Sequence, residues 1–163
     1  QGSAGRVSKP MNRIAELLSP SHVAVGVDAA SKRDLFAFVA GMFEASGGIA
    51  RAAIVDALTA REKLGSTGLG QGIAIPHGRI RGLKDARGAF VRLAQPISFD
   101  APDGRPVSQV FVLLVPEQAT ERHLELLSEL AQMFSERSFR ERLAAAPDAA
   151  AAWSAIRDWA PVA

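Results

Sequence analysis

The sequence predicts a single α/β domain, and three observations carry that expectation. Segments of strand periodicity alternate with segments of helical periodicity along the chain, which is the pattern of mixed helix and sheet layers. One run, residues 107–115, is dominated by valine, leucine and phenylalanine and is bounded by Pro106 and Pro116. It reads as a central strand buried on both faces. Finally, 163 residues, 48% hydrophobic and 22% charged, suffice for one real core and leave little room for a second.

Composition narrows the function. The chain has 19 Lys and Arg against 17 Asp and Glu, and Arg6 and Lys9 lie in a ten-residue start that holds no acid. The remainder is balanced, with neither a nucleic-acid footprint nor a basic membrane face. Zero cysteines exclude disulfides, thiolate zinc sites and cysteine catalysis. Together with the absence of a signal peptide or long apolar run, this favours the cytoplasm and no membrane insertion. Residues 1–10 read as a disordered tail or expression scar, Met11 as the native start, and 11–163 as the folded domain.

Taken in order, Asn12 caps a short helix through Leu18, which Ser19-Pro20 ends. Residues 22–27 alternate as a strand with Val23, Val25 and Val27 on one face, and His22 at its start reads as a surface histidine. Ser31 caps a core helix running to Gly47-Gly48, with Leu35, Phe38, Val39, Met42 and Phe43 at helical spacing. The next helix, about 51–64, places Ile54, Ala57, Leu58 and Arg61 on one face before Gly65 closes it. Arg61 therefore emerges from the buried side beside a glycine-rich loop. It either clamps an oxyanion bidentately or complements the helix dipole.

That loop is the informative stretch. In Gly65-Ser-Thr-Gly-Leu-Gly-Gln-Gly-Ile-Ala-Ile-Pro-His-Gly78, Gly68, Gly70 and Gly72 can take positive φ, so successive N–H groups can converge on an anion. Residues 73–75 read as a brief buried strand that Pro76 must end, which delivers His77 to the sheet rim. A neutral imidazole there is a good nucleophile. Residues 79–87 form a basic connection, 89–93 a strand, and 95–104 a turn marked by Asp103-Gly104. After the central strand, Thr120 caps a helix over 121–135 with His123, Leu127, Leu130 and Phe134 on one stripe. By spacing alone His123 is a core-edge histidine. A short helix from Ser138 stops at Pro147, and Asp148 caps a last helix docked by Trp153, Ile156 and Trp159.

Residues 72–77, Gly-Ile-Ala-Ile-Pro-His, with the preceding Ser66-Thr67-Gly68 and following Gly78-Arg79, resemble the active-site signature of mannitol/fructose-type enzyme IIA domains of the bacterial phosphotransferase system, particularly the stand-alone nitrogen-type members. Residues 96–101, Pro-Ile-Ser-Phe-Asp-Ala, and 111–116, Phe-Val-Leu-Leu-Val-Pro, are also similar to that family, so the resemblance spans roughly 11–160. It implies a three-layer domain with a small mixed sheet between helix layers, and a phosphorylated histidine at His77. It also implies that Arg61 is the arginine beside that histidine, and that His123, in a His-Leu-x-x-Leu context, is the second site histidine.

The implied chemistry is in-line phosphoryl transfer to His77 from a phosphohistidine on a small HPr-type carrier, supplied by phosphoenolpyruvate through enzyme I, without cofactor or metal. Ser66 or Thr67 would add a hydroxyl, and the backbone of Gly68, Gly70 and Gly72 would hold oxygens. In the nitrogen-type branch the phosphorylation state decides which regulatory partner is bound, such as potassium-transport or sensor-kinase proteins. Three other readings stand beside it. One is an enzyme IIA passing phosphate to the enzyme IIB of a sugar transporter. The second is an anion-binding module without phosphotransfer. The third, a metal site on His77 and His123, is poor because neither motif has a nearby carboxylate.

Overall fold

The structure, a computed structural model, describes residues 12–160; the tail expected over 1–10 and the start at Met11 lie outside them. Helix α1 (Arg13–Leu17) leads directly into strand β1 (Leu18–Val27). Helices α2 (Lys32–Gly47) and α3 (Arg51–Lys63) follow, then three short strands, β2 (Gly68–Gly70), β3 (Ile73–Ala74) and β4 (His77–Ile80). The long strands β5 (Arg87–Ile97) and β6 (Val107–Pro116) precede α4 (Glu121–Ser135), α5 (Arg137–Ala145) and α6 (Ala149–Asp158).

The six strands form one mixed sheet in the order β1-β5-β6-β3-β2, with β4 also on β6. Strand β6 pairs antiparallel to β5 and parallel to β3 and β4, so it is the centre that its apolar run predicts. Its side chains alternate between two cores. Phe111, Leu113 and Val115 face the layer containing α4, α5 and α6, while Val110, Val112 and Leu114 face α2 and α3. Each fully buried leucine or phenylalanine of this strand contributes about 2 kcal/mol. The architecture is the expected three layers.

Three local expectations are corrected. Strand β1 begins at Leu18, not His22, because as an edge strand paired only with β5 it tolerates Pro20. His22 therefore lies within the strand and is buried, 5% exposed; its Nε2 meets Ser46 Oγ at 2.5 Å, and its ring sits edge-on to Phe43. The three valines do not share a face: the register shifts between Val25 and Val27 around Gly26, whose φ is +70°, and this bulge turns Val27 to the other core. In α2 it is Phe36, not Phe38, that packs. Phe36 continues the stripe to Val39, Ala40 and Phe43, whereas Phe38 lies 40% exposed on the opposite side.

Capping follows the sequence closely. Asn12, Ser31 and Asp148 each accept a backbone N–H from the first turn of their helices. Asn12 also donates through Nδ2 to the carbonyls of Ile156 and Trp159, which ties the first helix to the last.

Candidate functional site

His77 opens β4 opposite Leu113 of the central strand. Pro76 ends the preceding strand as expected, but the chain then starts a second short strand, so the basic connection from Arg79 is strand as far as Ile80. Helix α3 reaches this point because Gly78 has no side chain: a Cβ there would stand 3.0 Å from Ala57 Cβ and 3.1 Å from its carbonyl carbon. One helical turn beyond Ala57, Arg61 lies over His77.

The hydrogen bonds fix the chemistry of the ring. The Ile75 carbonyl lies 3.0 Å from His77 Nδ1; a carbonyl only accepts, so Nδ1 carries the proton. Arg61 Nε donates to His77 Nε2 at 3.2 Å, and Arg61 Nη1 donates to the Gly65 carbonyl at 2.8 Å. The lone pair is therefore on Nε2, directed at a guanidinium. Burial pushes the His77 pKa below its ordinary value; the Arg61 charge lowers it further, while the Ile75 carbonyl and the Glu62 carboxylate act in the opposite sense. The ring is a neutral imidazole at neutral pH.

A cavity of about 530 Å³ opens over His77, and Arg61, Arg79, Leu113, His123 and Leu127 line it. In the first turn of α4 the His123 ring turns back, so that Nδ1 accepts the Thr120 N–H at 3.1 Å. Its neutral form thus carries the proton on Nε2, a donor in the wall of the same cavity. Three leucines border the region with unusual exposure: Leu64 at 84%, Leu69 at 47% and Leu124 at 52%.

The loop residues are arranged differently from the expectation. Ser66, Thr67 and Gly68 line a small hollow next to Arg61 and His77, but both hydroxyls and the N–H groups of Thr67 and Gly68 are already committed. Ser66 Oγ donates to the Phe99 carbonyl, Thr67 Oγ1 to Glu62 at 2.6 Å, and the Gly68 N–H to Ser66 Oγ at 3.0 Å. Gly68 does not take positive φ. Gly70 and Gly72 do, yet they serve a two-residue hairpin turn with Gln71 and Gly72 both at positive φ. The Gln71 N–H of that turn is taken by the Asp103 carboxylate at 2.9 Å, and Gly70 and Gly72 line neither cavity. The glycines build the hairpin that frames the site and do not form a nest around His77.

Sequence reasoning missed two contributors. Gly78 was legible only as a companion of the histidine, and its close approach to Ala57 depends on how α3 packs. Glu62, the residue after Arg61, has a side chain only 7% exposed and bonded to Lys32 Nζ at 2.8 Å. Among the described residues no three of His, Cys, Asp and Glu come together as a metal-sized group, and no helix is long and apolar enough to cross a membrane.

Comparison with known proteins gives this geometry a family. The family described as "Phosphoenolpyruvate-dependent sugar phosphotransferase system, EIIA 2" matches residues 16–159. The chain is similar to the nitrogen regulatory protein of Pseudomonas aeruginosa, 43% identical over 155 residues that cover 91% of this chain and 97% of the relative. Among solved structures it is similar to nitrogen regulatory protein IIA-Ntr from Neisseria meningitidis, with a TM-score of 0.84 and 48% identity over 89% of this chain and 99% of that one. The mannitol IIA of Escherichia coli, at 22% identity, shares the fold with a TM-score of 0.70, covering 85% and 97% of the two chains. With a match that spans α3, the hairpin, β4 and α4 together, the chain belongs to the EIIA 2 family of the phosphoenolpyruvate-dependent phosphotransferase system.

Proposed function

We propose that this protein is a cytoplasmic phosphocarrier that accepts a phosphoryl group on His77 from a phosphohistidine of a small HPr-type carrier protein and acts as a nitrogen-type regulator. The observation that carries the proposal is the state of the His77 ring: Nδ1 is anchored on a carbonyl, and the lone pair on Nε2 faces a cation at the wall of an open cavity. In the transfer, Nε2 attacks phosphorus, the P–N bond to the carrier breaks, and its electron pair returns to the carrier's imidazole. Charge spreads over the equatorial oxygens. Arg61 releases Nε2 and turns its donors to those oxygens, and His123 donates from Nε2 on the other wall. The positive ring that results keeps its Nδ1–H on the Ile75 carbonyl. The phosphoryl oxygens rely on Arg61 and His123, because the hydroxyls of Ser66 and Thr67 already donate elsewhere.

The exposed Leu64 and Leu124 at the cavity, with Leu69 at the adjoining hollow, suit a protein partner, since large apolar side chains exposed together mark interaction surfaces. A phosphoryl group placed between them adds negative charge to an apolar, arginine-containing rim. The phosphorylated and free forms would therefore bind regulatory partners, such as potassium-transport or sensor-kinase proteins, differently. Similarity to two nitrogen regulatory proteins over most of their length supports this branch over sugar transport. The test is intact mass at neutral pH after incubation with phosphoenolpyruvate, enzyme I and the carrier. One acid-labile phosphoryl adduct, absent in His77→Ala, is expected; no adduct with a cognate donor pair would favour an anion-binding module.

A further inference from the structure

Glu62 is the sole carboxylate between Asp56 and Asp85, and it lines neither cavity beside His77. It nonetheless accepts three hydrogen bonds: from Thr67 Oγ1 at 2.6 Å, from the Thr67 N–H at 3.1 Å and from Lys32 Nζ at 2.8 Å. A carboxylate withdrawn from water persists as an anion only when it is satisfied in this way. Lys32 is held in turn, 4.9 Å from the centre of the Phe99 ring and 3.8 Å from Asp100.

From Thr67 the bonding continues to the site. The Thr67 carbonyl accepts the Ile75 N–H at 3.0 Å, and the Ile75 carbonyl accepts from His77 Nδ1 at 3.0 Å. Two residues, Thr67 and Ile75, thus connect a buried charge to the edge of the imidazole opposite the nucleophilic nitrogen. Groups that orient a ring through its second nitrogen decide which tautomer it adopts. Arg61 and Glu62, adjacent in sequence, grip the loop from two sides, the first at the Gly65 carbonyl and the second at Thr67.

We propose that Glu62 is a positioning residue: through Thr67 and Ile75 it holds the His77 ring with its proton on Nδ1 and its lone pair on Nε2. This rests on the phosphocarrier function proposed above, but the ring can be observed without any transfer. The charged and titratable groups around His77 are Arg61 and Glu62 from α3, Arg79 from β4 and His123 from α4, with Lys32 and Asp100 behind Glu62.

The experiment is Glu62→Gln, read by ¹⁵N NMR of the His77 ring across a pH titration and by the rate of phosphoryl transfer from the carrier. The Nδ1–H form should lose its dominance, and the rate should fall about tenfold or more while the KM for the carrier holds, as for a small misplacement of a reacting group. The His77 pKa should fall further, because the favourable carboxylate charge is gone. A site merely loosened would admit water and move that pKa up towards the ordinary value. An upward move, or an unchanged tautomer with an unchanged rate, would overturn the proposal. If Glu62→Gln does not fold, Thr67→Val keeps both charges and removes the hydroxyl bond; a slower transfer with a disturbed tautomer is expected, and wild-type behaviour in both would overturn it. A wild type that takes up no phosphoryl group would sink the functional reading alone, whatever the ring shows.

Discussion

His22 and His77 are two withdrawn histidines in one small domain, and the difference between them shows what turns burial into a site. Both have pKa values below the ordinary histidine value, with desolvation as the first cause and a nearby arginine adding to it. His22 spends its Nε2 on Ser46 Oγ and packs its ring on Phe43. His77 anchors Nδ1 on the Ile75 carbonyl and turns the Nε2 lone pair to a guanidinium at the wall of a cavity. Low basicity is common to both, so it does not identify the reactive one. The Nε2 lone pair that meets an arginine at the wall of a cavity does, and it is placed there because β4 begins at His77 and α3 closes on Gly78.

The contrast is sharpest under substitution. His77→Ala should abolish phosphoryl uptake with little change in melting temperature, whereas His22→Ala should keep uptake; mass spectrometry of the two variants side by side checks this. Arg61→Ala should slow uptake by about a hundredfold or more, as expected for loss of a charged donor to developing negative charge. Arg61→Lys should recover only part of it, because a point charge does not reproduce the guanidinium fork. In stability the ranking inverts. His22→Ala removes a buried ring from a packed core and should cost about 2 kcal/mol in chemical denaturation, against a few tenths for His77→Ala.

Gly78→Ala probes the closeness of α3 and β4. Its Cβ would press on Ala57 Cβ at 3.0 Å, so an overpacking cost of about 1–3 kcal/mol is expected. The same variant should transfer more slowly as Arg61 moves off Nε2. If it folds and transfers like the wild type, the close approach is not what places the arginine.

The smallest effect is on pH dependence. Each histidine has a folded-state pKa below its unfolded value, so the unfolded chain binds more protons as the pH falls through the ordinary histidine range near 6.5. Stability is fully present above that range and is lost below it. His22→Ala should flatten this acid loss, which denaturation midpoints measured on both sides of the range would show.

How much of this was legible in the sequence varies from residue to residue. Pro76 had to end a strand, so His77 could be placed at a rim, and helical spacing from Ile54 placed Arg61 near it. The second strand at His77 was not legible, because four residues carry no period of their own and are ordered by β6. Ser66 and Thr67 were read as phosphoryl contacts because their acceptors, the Phe99 carbonyl and the Glu62 carboxylate, are set by loop packing that no local pattern announces. Gly70 and Gly72 showed their positive φ but not its purpose, since the hairpin's partner Asp103 lies some thirty residues away. His22 was misplaced for a similar reason: Ser19-Pro20 looks like a break, and only the edge position of β1 makes it strand.

The most direct test of the account is to locate the phosphoryl group by long-range ¹H–¹⁵N and ³¹P NMR on protein phosphorylated through the carrier. A single phosphoryl group on Nε2 of His77, with Nδ1 still protonated, is the expected result. Phosphorylation on Nδ1 of His77, or on His123 or His22, would contradict the ring state from which the mechanism is built.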